Sequence, residues 1–362
     1  NSHALHSEIP EDRYVDALLN DLASQKHFFA QRPLQSIFFG GGTPSLFSPD
    51  AIQGLTTSIG NLVEFEHDIE ITLEANPGTI DNGRFEGFRA AGVNRLSIGV
   101  QSFDDKKLKS LGRIHGSTEA TRAVQTAIEA GFDNFNLDLM YGLPDQTLEQ
   151  ALSDLHRAIA LRPTHLSVYQ LTLEPNTLFH HNPPVLPDGD TLWAMHQAIA
   201  DELSSASFDQ YEVSAFALSG RRCNHNQNYW LFGDYIGIGA GAHGKITTRD
   251  HVMRTTKEKH PERYLNDSKN FLSIRVLERD EISFEFLLNA FRLRDGFDTK
   301  LFEQRTGENI DIVESALDVA VQRGLLDRTN KQVRATDLGF RFLNDLLELF
   351  LPEPRKTTST MA

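Results

Sequence analysis

A glycine run in the first part of the chain could hold a small polar ligand. Gly40, Gly41 and Gly42 are followed by Thr43 and come directly after the apolar run Ser36–Phe39. Glycine tolerates positive φ and lets a ligand approach the backbone closely. Exposed amides and the Thr43 hydroxyl would then bind a carboxylate or an amine, although a simple tight turn explains the same residues. The run lacks the later glycine and lysine of a phosphate-binding loop.

Polar residues also lie near the carboxyl ends of three further apolar stretches: Glu74, Gln101 and Asp138. Alone, each could be a hydrogen-bonded group at the edge of a core. If the stretches are parallel strands, the three side chains converge at one mouth. Two carboxylates, an amide and a glycine cradle suit a zwitterionic, sugar-bearing ligand. Arg113 either binds the carboxylate of that ligand in a bidentate manner or is a surface arginine.

Alternating strand and helix patterns position these residues. The strand predictions are 36–39, 69–74, 95–100, 135–139 and 165–171, and the clearest helix is 147–160, where Thr147 and Gln150 form a capping box. Helices ending in Gly92 and Gly131 lie between the strands. This order predicts an α/β fold with a parallel sheet and right-handed crossovers. We expect an open or closed (β/α) barrel with its site at the strand carboxyl ends.

The pattern changes after Pro175, which predicts further domains. We expect a barrel, incomplete at its first strand, over residues 1–175 and an extension of it over 176–279. A smaller, mostly helical, winged-helix-like domain should follow over 280–351, with a hairpin near 328–331 and a final helix near 338–351. The polar segment 352–362 is predicted to be disordered.

Composition limits the class of protein. The chain has 362 residues, a formal net charge of −15 and one cysteine, Cys223. The negative charge argues against a broad nucleic-acid footprint, and the acid-rich C-terminal region offers no basic helix. A lone cysteine excludes a disulfide framework and favours the reducing cytoplasm. No apolar run approaches the roughly 18 residues that span a bilayer.

Five ordered motifs carry a family resemblance that covers nearly the whole chain. They are Gly-Gly-Gly-Thr-Pro at 40–44, Glu-Ala-Asn-Pro at 74–77, Gly-Val-Gln-Ser-Phe at 99–103, Leu-Gly-Arg-Ile-His at 111–115 and Asp-Leu-Met-Tyr-Gly-Leu-Pro at 138–144. In this order they resemble the radical S-adenosylmethionine (SAM) proteins of the oxygen-independent coproporphyrinogen oxidase type and their HemW haem-chaperone relatives. The resemblance implies a partial (β/α)6 barrel followed by a HemN-like C-terminal domain.

The resemblance also implies cofactors and the residues that hold them. The SAM pocket would be lined by Gly41, Gly42, Thr43, Glu74, Gln101, Arg113 and Asp138, with Thr172 on the last strand. The family holds a [4Fe–4S] cluster with three cysteines, and the opening residues 1–5 look like the segment that follows them. We therefore expect the cluster only in an intact protein, with its cysteines and the first strand upstream of Asn1. This chain alone should hold no metal cluster.

A second motif points to haem. The segment Cys223-Asn224-His225-Asn226-Gln227-Asn228-Tyr229-Trp230 resembles the His-Asn-x-Asn-Tyr-Trp motif that HemW proteins associate with haem binding. A neutral imidazole is a good axial iron ligand, and Tyr229 and Trp230 offer stacking surface. Cys223 is the alternative thiolate ligand. The alternative structure is a packed aromatic turn in which His225 bonds locally.

The resemblance therefore favours a haem chaperone that binds haem and delivers it to haem-requiring proteins. The alternative function is radical decarboxylation of coproporphyrinogen III in porphyrin biosynthesis, which would use the same cofactor pocket. Catalytic residues cannot be assigned from the sequence, which leaves open whether the chain is an enzyme. Peripheral membrane contact and dimerisation are also left open.

Overall fold

The structure is a computed structural model, and it describes residues 10–29, 32–79, 82–175 and 177–352. The opening segment 1–5 and the predicted disordered tail from 353 onward lie outside the described residues. The chain divides into two compact units, the first made of residues 1–225 and 265–269 and the second of residues 226–264 and 270–362. No described helix is both long and apolar enough to cross a membrane.

The first unit is built on a sheet in which five parallel strands alternate with helices, as the sequence pattern predicts. Its strands are β1 (Leu34–Phe39), β2 (Phe65–Ala75), β3 (Arg95–Gln101), β4 (Phe135–Tyr141), β5 (His165–Gln170), β6 (Asp209–Gln210) and β7 (Ala215–Ala217). The strand order is β1-β2-β3-β4-β5-β7-β6; β1 to β5 are parallel, and β7 is antiparallel to β5.

Helices cover one face of this sheet. They are α1 (Glu11–Ser24), α2 (Pro49–Leu62), α3 (Asn82–Ala90), α4 (Asp105–Ser110), α5 (Ser117–Glu129), α6 (Leu148–Ala160), α7 (Leu178–His181) and α8 (Gly189–Ser205). The predicted capping box is present at the start of α6, where the Thr147 hydroxyl accepts from the Gln150 amide. Apolar side chains that alternate along the strands, such as Leu73, Ile98 and Leu137, are fully buried in the core on this face.

The second unit contains two small antiparallel sheets and the C-terminal helices. Helix α9 (Asn224–Trp230) begins with the last two residues of the first unit's main segment, and its other residues belong to the second unit. The remaining elements are β8 (His243–Thr247), β9 (Val252–Thr256), α10 (Pro261–Asn266), β10 (Ser273–Val276), α11 (Arg279–Ala290), β11 (Phe297–Asp298), α12 (Thr299–Thr306), α13 (Glu314–Gln322), β12 (Leu326–Arg328), β13 (Gln332–Ala335), α14 (Asp337–Arg341) and α15 (Leu343–Glu348).

The predicted hairpin near 328–331 joins β12 to β13 in the structure. The single final helix predicted for 338–351 is wrong. The chain breaks at Phe342, whose φ of −107° and ψ of 48° are not helical, and two short helices, α14 and α15, result. Apolar periodicity alone does not reveal such a break, because both short helices still bury apolar residues such as Phe340 and Leu346.

Candidate functional site

The sheet face opposite the helices carries polar side chains. This is unusual, because parallel strands commonly bury apolar residues on both faces of their sheet. Strand side chains alternate between faces, so every second residue contributes. The polar residues that alternate with the core positions are Glu70, Thr72 and Glu74 on β2, Arg95 and Ser97 on β3, Asn136 and Asp138 on β4, and His165, Ser167 and Tyr169 on β5. The strands thus present hydrogen-bonding and charged groups to one side of the sheet.

Glu74 and the glycine run meet on this polar side. The Gly41 amide donates to a Glu74 carboxylate oxygen at 3.2 Å. Burial raises the pKa of Glu74; the Gly41 hydrogen bond lowers it, and the nearby negative charge of Asp138 raises it again. Gly41 and Gly42 have φ of +78° and +91°, and a Cβ added to either would meet no atom within 4 Å. Both glycines therefore have left-handed backbone and open space beside them, as a ligand cradle requires.

Asp138 lies at the centre of a hydrogen-bonded set on β3 and β4. Its carboxylate accepts hydrogen bonds from the side-chain amide of Asn136 at 2.8 Å and from the Ser97 hydroxyl at 3.3 Å. Burial still raises its pKa, against the lowering effect of these bonds and of Arg95. Burial lowers the pKa of Arg113, whereas the negative charge of Asp138 raises it. Gly41, Glu74, Arg113 and Asp138 are therefore brought together, as the sequence predicts.

The structure places three further predicted residues, Gln101, Thr43 and Thr172, at the ends of strands or after the glycines. Gln101 ends β3 with a φ of +69°, and Thr43 is half-buried after the glycines. The prediction that Thr172 lies on the last strand is wrong. β5 ends at Gln170, Thr172 follows it as an exposed residue, and its hydroxyl donates to Glu174 at 2.9 Å. Apolar residues continue to Leu171, so the sequence pattern placed the end of the strand too late.

Tyr169 is a residue on the polar side of the sheet that the sequence analysis missed. The residue is 42% exposed, yet partial burial of its phenol raises the pKa; the negative charges of Asp138, Glu212 and Glu74 also raise it, and a hydrogen bond with Ser167 lowers it. The alternation of His165, Ser167 and Tyr169 on one predicted strand could have revealed it. The phenol keeps its proton at neutral pH and can donate a hydrogen bond to a ligand.

His225 occupies a separate place on the polar side of the first unit. Its ring stacks on Phe38 of β1, with ring centroids 4.4 Å apart. Burial, aided by the positive charge of Arg95, lowers the pKa of His225 to about 4. The ring is therefore neutral at physiological pH and keeps the lone pair that an iron ligand needs.

Cys223 is buried, and its thiol donates to Glu70 at 3.4 Å. Tyr229 and Trp230 belong to the second unit. There Tyr229 packs against Tyr235 with centroids 4.2 Å apart, and the Arg292 guanidinium lies 4.3 Å from the Trp230 ring centroid. The buried Trp230 Nε1 has no hydrogen-bond partner among the described residues.

Comparison with known proteins gives the family of the chain. Residues 9–158 match the model of the radical SAM superfamily, and residues 277–342 match that of the HemN C-terminal domain. The chain is 50% identical to the heme chaperone HemW of Escherichia coli (strain K12), over 98% of this chain and 93% of that protein. It is 32% identical to the heme chaperone HemW of Bacillus subtilis (strain 168), over 98% and 94%.

The chain belongs to the HemW family of the radical SAM superfamily. A mouse relative, the mitochondrial radical S-adenosyl methionine domain-containing protein 1, is 44% identical over 59% of this chain and 49% of its own length. The solved structure of E. coli coproporphyrinogen III oxidase (HemN) matches with a TM-score of 0.79 at 23% identity, covering 94% of this chain and 83% of that one. At this identity the match shows the fold: a partial radical SAM barrel followed by a HemN-type C-terminal domain.

Membership of this superfamily implies SAM and a [4Fe–4S] cluster. The residues of the pocket fit SAM, because the open glycine backbone adjoins buried carboxylates and a guanidinium. The residues of this HemW-family chain do not fit a cluster. The sequence has one cysteine, and the described residues contain no group of three or more metal-ligating side chains.

Proposed function

We propose that this chain binds haem through His225 and delivers it to haem-requiring proteins. One observation carries the assignment: the His225 ring stacks on Phe38, and burial together with the positive charge of Arg95 lowers its pKa to about 4, so that the imidazole is neutral. A neutral imidazole is the form that coordinates haem iron. The curated relatives named above are haem chaperones, which supports delivery of haem over the alternative, oxidation of coproporphyrinogen.

In the same proposal, the glycine run and its polar neighbours hold SAM. Glu74 and Asp138 would accept hydrogen bonds from ribose hydroxyls or the ammonium group, and Arg113 would pair with the carboxylate of the amino acid. The Gly41 and Gly42 backbone would line the ligand closely. When bound beside a reduced cluster, SAM would supply radical chemistry; the role proposed for the residues of this chain is to bind and orient SAM.

The haem assignment is tested by titrating haem into the purified chain and following the Soret band. We expect saturable binding at micromolar concentration, and His225→Ala should weaken it by about tenfold or more because the iron loses its ligand. The matched control is His156→Ala. His156 is an exposed histidine on α6 that pairs with Glu202, and its loss should leave binding unchanged. Equal affinities of the wild type and His225→Ala would contradict the ligand assignment.

Delivery is tested by mixing the haem-loaded chain with apo-myoglobin and following the appearance of the holo-protein spectrum. The alternative function has a different readout, the turnover of coproporphyrinogen III by a form of the protein that also carries the three cluster cysteines of the family and has been reconstituted with the cluster. Turnover of coproporphyrinogen III without haem transfer would contradict the chaperone proposal and support the oxidase function.

The buried thiol of Cys223 is engaged with Glu70, so it is left out of the ligand set. The stacking roles of Tyr229 and Trp230 stay predictions, as do membrane contact and dimerisation. We propose a cytoplasmic location because the one cysteine of the sequence is buried and forms no disulfide, which suits a reducing compartment.

A further inference from the structure

Glu70 is a buried carboxylate that the SAM pocket does not use. It lies on the polar side of β2, four residues before Glu74, and is 7% exposed. Its two oxygens accept from three consecutive residues far along the chain. The Asn224 amide donates at 3.0 Å, the His225 amide at 3.1 Å and the Cys223 thiol at 3.4 Å. One carboxylate therefore binds three consecutive residues, and His225 is the last of them.

These contacts act at the start of α9. The first amides of a helix have no acceptor within the helix, so they need one from elsewhere. Glu70 supplies it for Asn224 and His225, and a negative charge is favourable at this end of a helix. The backbone of His225 is thereby held at a defined place over β2.

The ring of His225 is held by the neighbouring strand. Phe38 of β1, on which the imidazole stacks, is paired in register with Thr72, two residues from Glu70 on β2. Glu70 thus fixes the backbone of His225 while Phe38 supports its ring. Two adjacent parallel strands together define the orientation of one imidazole.

We infer that Glu70 is a positioning residue for haem binding, acting through His225. This inference rests on the proposed function, in which His225 is the iron ligand. Groups that hold a metal-ligating histidine in orientation commonly change metal affinity by about 10- to 100-fold when removed. No sequence motif of the chain marks Glu70, since its partners are more than 150 residues away.

The test compares haem binding by Glu70→Gln with that of the wild type, His225→Ala and the double variant. Glutamine keeps the shape of the side chain but loses the charge and one acceptor, so the amides of Asn224 and His225 are no longer both satisfied. We expect about tenfold weaker binding and a changed Soret spectrum. The matched control is Glu66→Gln, an exposed glutamate of the same strand that bonds Gln35, and it should bind as the wild type does.

The double variant separates positioning from a general effect on folding. If Glu70 acts through His225, the change to glutamine should cost nothing more once His225 is alanine. Hydrogen exchange of the peptide covering 223–228 should also be faster in Glu70→Gln than in the wild type.

Three results would overturn the inference. If Glu70→Gln binds haem normally while His225→Ala is impaired, the role of Glu70 is wrong and the haem proposal stands. If Glu70→Gln weakens binding equally with and without His225, Glu70 acts on the fold in general. Normal binding by His225→Ala would remove the proposed haem ligand itself, and the inference with it.

Discussion

The imidazole of His225 stacks on the phenyl ring of Phe38, with ring centroids 4.4 Å apart and planes inclined by 21°. Phe38 also lies beside Gly40, the first residue of the glycine run. A Cβ placed on Gly40 would lie 2.6 Å from Phe38 and 3.1 Å from the Glu74 carboxyl carbon. One aromatic ring therefore adjoins both the candidate haem ligand and the turn that leads into the SAM pocket.

Replacement of Phe38 by leucine should raise the pKa of His225 from about 4 towards its ordinary value of 6.5. Leucine leaves part of the imidazole face open to water, and hydration favours the charged form. An NMR titration of the His225 ring protons measures this pKa. Phe39→Leu is the control, because Phe39 packs against the hydrophobic core of the sheet. A pKa that stays near 4 in Phe38→Leu would show that stacking does not keep the ring dehydrated.

Haem affinity should stay constant from pH 8 to about pH 5 and fall below that, because protonation of His225 competes with iron only near its depressed pKa of about 4. A histidine with an ordinary pKa would lose affinity already near pH 6.5. Soret titrations at a series of pH values measure the profile, with His225→Ala as the reference. A fall in affinity centred near pH 6.5 would mean that the ligand is a different, solvated histidine.

The same ring should make folding sensitive to acid. The folded pKa of His225 is depressed, so between pH 6.5 and 4 the unfolded chain binds a proton that the folded chain does not. Stability is therefore lost as the pH falls through this window. His225→Gln should flatten that part of the curve, as measured by urea unfolding at pH 7, 6 and 5. The buried His165 also has a lowered pKa, so the free energy of unfolding of the variant should still fall somewhat as the pH is lowered. An equal pH dependence of the free energy of unfolding in the two proteins would contradict the prediction.

The fold was predictable from the sequence where local patterns decide it. Alternating apolar residues located the five parallel strands, and Thr147 with Gln150 located the start of α6. The break at Phe342 and the end of β5 before Thr172 were missed because apolar runs continue across both.

The candidate pocket was predictable for a topological reason. Glu74 and Asp138 lie on the same polar side of parallel strands, so knowing the strands was enough to bring them together. The role of Glu70 was not predictable, since its partners lie more than 150 residues away and depend on tertiary packing. Tyr169 was only partly predictable: the sequence pattern located its strand, but the polar side of that strand was not considered.

Loss of either pocket carboxylate charge should weaken SAM binding. Glu74→Gln and Asp138→Asn keep the size of the side chain but remove a charge that accepts hydrogen bonds from the ligand. We expect about tenfold weaker binding for each, equivalent to roughly 1.4 kcal/mol, measured by calorimetry on a form of the protein that also carries the three cluster cysteines of the family and has been reconstituted with the cluster. Asp68→Asn is the control, since Asp68 is an exposed carboxylate of β2. Unchanged binding in both pocket variants would place SAM elsewhere.

The glycines of the turn should respond differently to alanine. At Gly41 the added methyl group meets no atom within 4 Å, but the φ of +78° is strained for alanine, so the variant should lose about 1–2 kcal/mol of stability. At Gly40 the methyl group would collide with Phe38 and displace the ring on which His225 stacks. Gly40→Ala should therefore raise the pKa of His225 and weaken haem binding, while Gly41→Ala leaves both unchanged. NMR and Soret titrations of the two variants make the comparison, and equal effects on His225 would mean that Phe38 does not link the turn to the histidine.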